Sequence, residues 1–214
     1  MGREVENKKL ARLLIMASML FAVGCTSTVN YNQSYEGPLI GAVPQLLEGK
    51  ALIYASVDDD QYVFSGNPTS LTGAATTLEI SLGEITREIS KRVFNRIFSE
   101  GTEHSNSMSN AADFRVVVNL RTNQFNYAYN QLQNVGLAIT PQASVSIDLL
   151  LMDNEGVALF RNTYESGIVD GDIYVLSGAP AERINRAAHE AITEVVNRAA
   201  TDVYYFLSNS GDES

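Results

Sequence analysis

A basic head followed by an apolar run at the start of the chain constrains most strongly how the rest of the chain can fold. Three basic residues lie within 8–12, residues 10–21 are almost entirely apolar, and small residues follow at 22–24. Such a series is typical of a secretory signal peptide. The run is shorter than the ~20 residues that a membrane-spanning helix requires. We therefore expect residues 1–24 to be removed and the remainder to fold as an exported protein.

The residues that close this run point to a lipid anchor. Ala22-Val23-Gly24-Cys25 resembles the bacterial lipobox, although Ala22 replaces the usual leucine. In that family the peptide is cut before the cysteine, which becomes the lipidated first residue. Cys25 is the only cysteine of the chain, and an unpaired cysteine is unexpected in an oxidising compartment unless it has a role. The alternative is an ordinary signal peptide followed by an incidental cysteine.

The lipobox resemblance also implies a location in the cell envelope. It implies that Cys25 carries acyl chains, labelled by palmitate analogues, and tethers a periplasmic domain to a bacterial membrane. Thr26 and Ser27 follow the cysteine, whereas lipoproteins retained in the inner membrane of enterobacteria typically carry aspartate there. The resemblance therefore implies the periplasmic face of the outer membrane.

Net charge excludes some classes of partner. The whole chain of 214 residues has a net charge of −10, and residues 1–24 carry a net +2 (four basic, two acidic), so residues 25–214 carry −12. Nucleic-acid binding depends on neutralising phosphates with basic side chains, and no basic patch is evident. The same acidity argues against a domain that lies flat on anionic lipid.

Hydrophobic periodicity predicts one folded domain over 49–208, preceded by a lipidated cysteine and tether over 25–48 and followed by a polar tail over 209–214. Strands are expected at 51–57, 76–81, from 114 through about 127, and from Pro141, with a hairpin turn at 153–156 and a return strand at 157–166. Helices are expected from a capping box at Ser81–Glu84 and from Pro180. This order predicts an α+β fold, an antiparallel sheet with two helices packed on one face.

Residue patterns that enzymes need are not evident in the sequence. It lacks a P-loop, a G-x-G-x-x-G motif and a G-x-S-x-G elbow. His189-Glu190 begins like a zinc motif, but Thr193 stands where the second histidine would be, which favours an exposed His-Glu pair. His104 is interpreted as a solvated loop histidine and Asp58–Asp60 as a solvated turn. We predict no enzyme activity, no metal site and no cofactor.

Aromatic residues alternate with polar ones near the middle of the chain. Phe125, Tyr127 and Tyr129 share one side of a strand if the strand at 114–120 continues. Large rings with polar tips are enriched at interfaces, so these residues are candidate partner-binding residues. The alternative is that the rings cap the core beneath a loop.

The order of elements resembles that of YajG-type bacterial lipoproteins. The resemblance rests on the lipobox, the strand that begins at Asp113, the hairpin at 145–164 and the long final helix. A similar layout occurs in the curli and Pel secretion lipoproteins, which form rings or accessory subunits of envelope systems. It implies an accessory or assembly subunit that acts through protein partners, with a homo-oligomer as one arrangement. The alternative is a carrier of a lipid or glycolipid, which needs an apolar cavity.

Overall fold

The computed structural model describes residues 26–131, 138–175 and 180–210. The predicted signal peptide, Cys25 and the end of the polar tail lie outside these ranges. The strands are β1 (Thr26–Val29), β2 (Ala51–Tyr54), β3 (Phe64–Gly66), β4 (Thr77–Ile80), β5 (Thr102–Ser105), β6 (Val116–Gln131), β7 (Ala138–Met152), β8 (Ala158–Glu165), β9 (Val169–Asp170) and β10 (Tyr174–Val175). The α-helices are α1 (Val57–Asp60), α2 (Leu82–Phe94) and α3 (Ala181–Asn209), and short 3-10 turns occur at Gln33–Tyr35 and Ala111–Asp113.

The main sheet has the order β10-β7-β6-β2-β5, and β8 and β9 also pair with β7. Strands β6, β7 and β8 form the predicted antiparallel meander; the connection between β7 and β8 contains the turn predicted at 153–156, with Gly156 at a positive φ of 85°. The α+β prediction is confirmed, but the sheet is mixed rather than wholly antiparallel. Strand β2 runs parallel to both β5 and β6. The reason is that the chain crosses over through α2 between these strands, and such crossovers join parallel strands.

Helices α2 and α3 pack against each other and against the same face of the main sheet. Seven residues from the helices and the sheet are fully buried in this core: Ile89, Val93, Val118, Ile147, Leu149, Ile192 and Val195. Apolar side chains recur at helical spacing on α2 and α3 and at alternate positions on β6 and β7, so each element has one apolar face. The central layer is therefore a filled hydrophobic core.

A second sheet is built partly from the segment that the sequence predicted to be a tether. Strand β1 pairs in parallel with β4, and β4 pairs in antiparallel with β3. Further along, Leu47 is buried and its amide donates to the carbonyl of Ile97 at 2.8 Å. The prediction of a free tether is thus wrong for residues 26–47, which we call the strap. The strap follows the surface of α3.

Strand β6 changes phase half-way along its length. A register shift lies between Thr122 and Gln124 in the pairing with β7. Before the shift, even-numbered side chains such as Val118 and Leu120 face the core; after it, odd-numbered side chains do so. A β-bulge inserts one extra residue and so moves the following side chains to the opposite face of their strand. The rings of Phe125, Tyr127 and Tyr129 consequently lie on the face of the sheet that packs against the helices.

Candidate functional site

Four polar side chains form a stripe along α3 and hold the strap. They are spaced four residues apart, which places them on one face of the helix, and each bonds to the strap's backbone. The amide of Asn185 donates to the carbonyl of Asn30 (2.9 Å), the N–H of Asn32 to His189 Nε2 (2.9 Å), the N–H of Gly37 to Thr193 Oγ1 (3.3 Å) and the N–H of Ile40 to Asn197 Oδ1 (2.8 Å).

His189 lies at the centre of this stripe and is fully buried. Its Nδ1 is 2.8 Å from the carbonyl oxygen of Asn185, to which it donates, and Nε2 accepts from the strap. Only the neutral imidazole provides one donor and one acceptor, and burial lowers the pKa of His189 to about 4. The ring of Tyr31 stacks on it at 5.7 Å between centroids. The predicted exposed His-Glu pair is wrong, because the strap covers this part of α3.

Glu36 connects the strap to α2. Its side chain is 4% exposed, and it accepts a hydrogen bond from the Tyr31 hydroxyl at 2.6 Å. Arg92 of α2 lies 3.1 Å from the other carboxylate oxygen. Burial, followed by the carboxylate of Glu36, raises the pKa of Tyr31 to about 12. A buried carboxylate is stable only when it is paired and hydrogen-bonded, so these contacts make the strap a fixed part of the structure.

The residues predicted as a capping box also contact the strap. Ser81 precedes α2, but its hydroxyl makes no capping bond and instead donates to Asn30 Oδ1 at 2.9 Å. Glu84 accepts from the backbone N–H of Tyr31 at 3.4 Å. The capping-box prediction is therefore wrong, because both side chains satisfy groups of the strap rather than the first turn of α2.

The aromatic residues predicted to bind partners lie in the core. Phe125, Tyr127 and Tyr129 are 6%, 1% and 2% exposed. The prediction that they bind a partner is therefore wrong. The loop before β4 covers them: the N–H of Thr69 donates to the carbonyl of Tyr127, and the N–H of Tyr129 donates to Ser70 Oγ, both at 2.9 Å. The rings instead lie where the alternative interpretation placed them, beneath a loop.

The second histidine lies beside a charged cluster. His104 belongs to β5 rather than to a solvated loop, and its Nε2 is 3.6 Å from the carboxylate of Asp60. Asp60 is itself paired with Arg87 at 2.5 Å. Burial lowers the pKa of the His104 imidazole, which favours its neutral form. Within the described ranges no three potential metal ligands cluster together.

The largest surface depression found among the described residues is not an apolar cavity of the kind that a lipid carrier needs. It has a volume of about 390 Å³ and lies over polar and charged side chains of the sheet, including Arg121, Asp148 and Arg161. On the opposite face, the layer between sheet and helices is filled by fully buried side chains. The described residues therefore give the carrier alternative no support. None of the described helices has the length and hydrophobicity that crossing a membrane requires.

Known structures share this fold at very low sequence identity. No protein-family model matches the chain, and no curated protein matches it in sequence. Protein XCC0632 from Xanthomonas campestris, of the DUF330 family, aligns with a TM-score of 0.57 and 9% identity over 87% of this chain and 99% of its own. This similarity shows the fold alone.

Two further structural similarities are weaker and have TM-scores below 0.5. A proposed lipoprotein from Caulobacter crescentus gives a TM-score of 0.36 and 14% identity over 59% of this chain and 83% of its own. A PelC dodecamer from Paraburkholderia phytofirmans gives 0.36 and 13% identity over 80% and 94% of the two chains. Neither carries an argument about function, and the resemblance to YajG-type lipoproteins stays a prediction.

Proposed function

We propose that this chain is a lipoprotein of the bacterial envelope, anchored through Cys25 to the periplasmic face of the outer membrane. The observation that carries the proposal is the sequence Ala22-Val23-Gly24-Cys25 after a basic and apolar leader. The strap supports it, because the first described residue, Thr26, already belongs to strand β1. An anchor at Cys25 would thus be attached directly to a folded element.

We further propose that the anchored domain acts through protein contacts and not as an enzyme. Its two histidines support this, because His189 is used to hold the strap and His104 lies beside an ion pair. A surface suited to a protein partner is the edge of β8, which in the described ranges pairs only with β7. Leu159 is exposed on this strand. Unpaired strand edges accept strands of other chains.

The anchor is tested by Cys25→Ser in the full chain, with Ser27→Ala as the matched control. The control changes a neighbouring exposed side chain and keeps the thiol. We expect Cys25→Ser to lose labelling by palmitate analogues and to leave the membrane fraction, while Ser27→Ala keeps both properties. Unchanged labelling and fractionation of Cys25→Ser would contradict the proposed anchor.

The contact surface is tested by a photo-reactive residue at position 159, with the same residue at 205 as control. Tyr205 is also exposed, but it lies on α3. We expect specific cross-linked products from position 159 in intact envelopes, and their loss when Cys25→Ser is added. The same products from both positions, or products that survive loss of the anchor, would contradict a role for the β8 edge.

A further inference from the structure

Three of the longer uncharged stretches of this acidic chain lie at one end of the fold. They are residues 26–35, 61–78 and 122–147. Charged residues make up 19% of the chain, and residues 25–214 carry a net −12 if the first 24 residues (net +2) are subtracted from the total of −10. The three stretches include β1, the loop before β4, and the end of the β6–β7 pair. The fold determines where these uncharged stretches lie relative to one another.

The uncharged stretches meet at one end of the molecule. Strands β1 and β4 run in parallel with Thr26 opposite Thr77, so both strands start at this end. The loop before β4 continues onto β6, where Thr69 bonds to Tyr127 and Ser70 to Tyr129. We call the region formed by residues 26–27, 66–77, 127–131 and 138–140 the neutral end.

The direction of the strap places its first residue at this end. From Asn30 to Ile40 the strap follows α3 from Asn185 towards Asn197, so residues before 30 extend back past the start of the helix. Four strand residues span ~13 Å, whereas four helical residues span only ~6 Å. Thr26, which follows Cys25 directly in the sequence, therefore emerges at the neutral end.

Apolar side chains point into solvent around the same end. Leu71, in the loop before β4, is 96% exposed, and Ile173 and Val175, at β10, are 58% and 60% exposed. Strand β10 pairs with the first residues of β7, which in turn pair with the last residues of β6. These side chains are spaced around the neutral end rather than buried in it.

Three acidic and two basic side chains lie nearest to the neutral end, a net charge of −1: Asp170, Asp172, Glu182, Arg183 and Arg186. Asp172 pairs with Arg186 at 3.4 Å, and Asp170 accepts from the side chain of Gln142 at 2.7 Å. Glu182 accepts a hydrogen bond from the Tyr35 hydroxyl, and Arg183 lies over the ring of Tyr174. This end therefore offers a lipid surface little repulsion, although the domain as a whole is acidic.

We propose that the neutral end rests on the lipid bilayer, with Leu71 inserted between headgroups. The proposal rests on the lipidation of Cys25 proposed above. Burial of one leucine side chain contributes too little free energy to bind a membrane alone. An anchor one residue before Thr26 makes the contact intramolecular, so a weak contact suffices. The acidic remainder of the domain then faces away from anionic lipid.

The test uses single tryptophans, since the natural chain contains none. Leu71→Trp places the probe at the neutral end, and Val157→Trp places a matched, exposed probe at the turn beyond β7. The 15 residues of β7 separate the two ends of the sheet, a distance of ~45 Å. Each full-length lipidated protein is reconstituted into phosphatidylethanolamine–phosphatidylglycerol vesicles with or without brominated acyl chains, which quench tryptophan on contact.

Brominated lipid should reduce the emission of Leu71→Trp by about two-fold or more, since an interfacial indole lies within reach of the acyl chains, and should leave Val157→Trp unchanged. If both proteins are acylated and float with the vesicles but Leu71→Trp is not quenched, the docking proposal is overturned and the anchor stands. Quenching of Val157→Trp instead would overturn the proposed orientation. If neither protein is acylated or floats, the anchor itself fails and the docking proposal fails with it.

Discussion

The backbone amide of Asn32 donates a hydrogen bond to Nε2 of His189 at 2.9 Å, although 157 positions separate the two residues in the sequence. This contact joins the strap to the first third of the longest helix. Tyr31 and Asn32 of the strap both contact the imidazole, so its environment reports on whether the strap is docked.

The free energy of unfolding should depend on the protonation of His189. Burial lowers its pKa to about 4 from a usual value of 6.5. On acidification, the unfolded chain therefore takes up this proton before the folded chain does, which favours unfolding. The contribution is fully present above pH 6.5, is lost as the pH falls to about 4, and amounts to ~3 kcal/mol over that interval.

His189→Gln is the control for this pH dependence, because glutamine does not titrate. The difference in unfolding free energy between wild type and variant, measured by urea denaturation from pH 7.5 to 4, should shrink as the pH falls. Other carboxylates and histidines cancel in this difference. A difference independent of pH would show that His189 is protonated equally in the folded and unfolded states.

Combined Tyr127→Ser and Tyr129→Ser substitutions should destabilise the fold. Each removes a ring from the core beneath the loop before β4, and loss of a large buried side chain costs ~3–5 kcal/mol. Tyr205→Ser is the control, since Tyr205 is 60% exposed. Thermal unfolding should show a large decrease in Tm for the double variant and little change for the control. An unchanged Tm in the double variant would restore the interpretation of these tyrosines as a surface.

Gly83 should tolerate no side chain. A Cβ at this position, in the first turn of α2, would overlap the backbone carbonyl oxygens of Asp59 and Asp60. Gly83→Ala should therefore cost ~1–3 kcal/mol of unfolding free energy through overpacking. Gly41→Ala is the control, because a Cβ there would have no neighbour within 4 Å. Equal stabilities of the two variants would mean that α1 and α2 do not approach each other as described.

Glu36 and Arg92 should be energetically coupled. Their side chains pair at 3.1 Å with the carboxylate almost fully buried, so removing either partner leaves the other unpaired. A double-mutant cycle with Glu36→Gln and Arg92→Met should give a coupling energy of ~1 kcal/mol in unfolding free energy. Additive effects of the two substitutions would indicate that the strap is not held by this ion pair.

Sequence periodicity was sufficient to predict the layers of the fold. It was insufficient to predict the position of the aromatic residues of β6. The faces of α2, α3 and β7 follow from regular spacing, as the burial of Ile89, Ile147 and Ile192 shows. The bulge between Thr122 and Gln124 breaks the spacing of β6. Its one-residue shift left Tyr127 and Tyr129 out of phase with the aliphatic residues that precede them, and no residue in the stretch indicates the bulge.

The strap was not predictable because its stabilising contacts are long-range. Residues 26–47 lack the periodicity of a helix or strand, so their sequence is similar to that of a linker. Their partners are side chains on α3, which lie more than 150 positions away. One local signal existed in the polar residues Asn185, His189, Thr193 and Asn197. These four residues recur at four-residue spacing and so share one face of the helix, beside its apolar stripe.

Native-state hydrogen exchange measures whether the strap is a folded part of the domain. In the Cys25→Ser protein, which keeps the strap without the proposed anchor, we predict slow exchange of the N–H groups of Asn32, Gly37 and Ile40, all bonded to α3. Their protection should approach that of core amides in β7, and His189→Gln should accelerate them while leaving β7 protected. Exchange of residues 26–47 at the rate of an unstructured peptide would contradict the account.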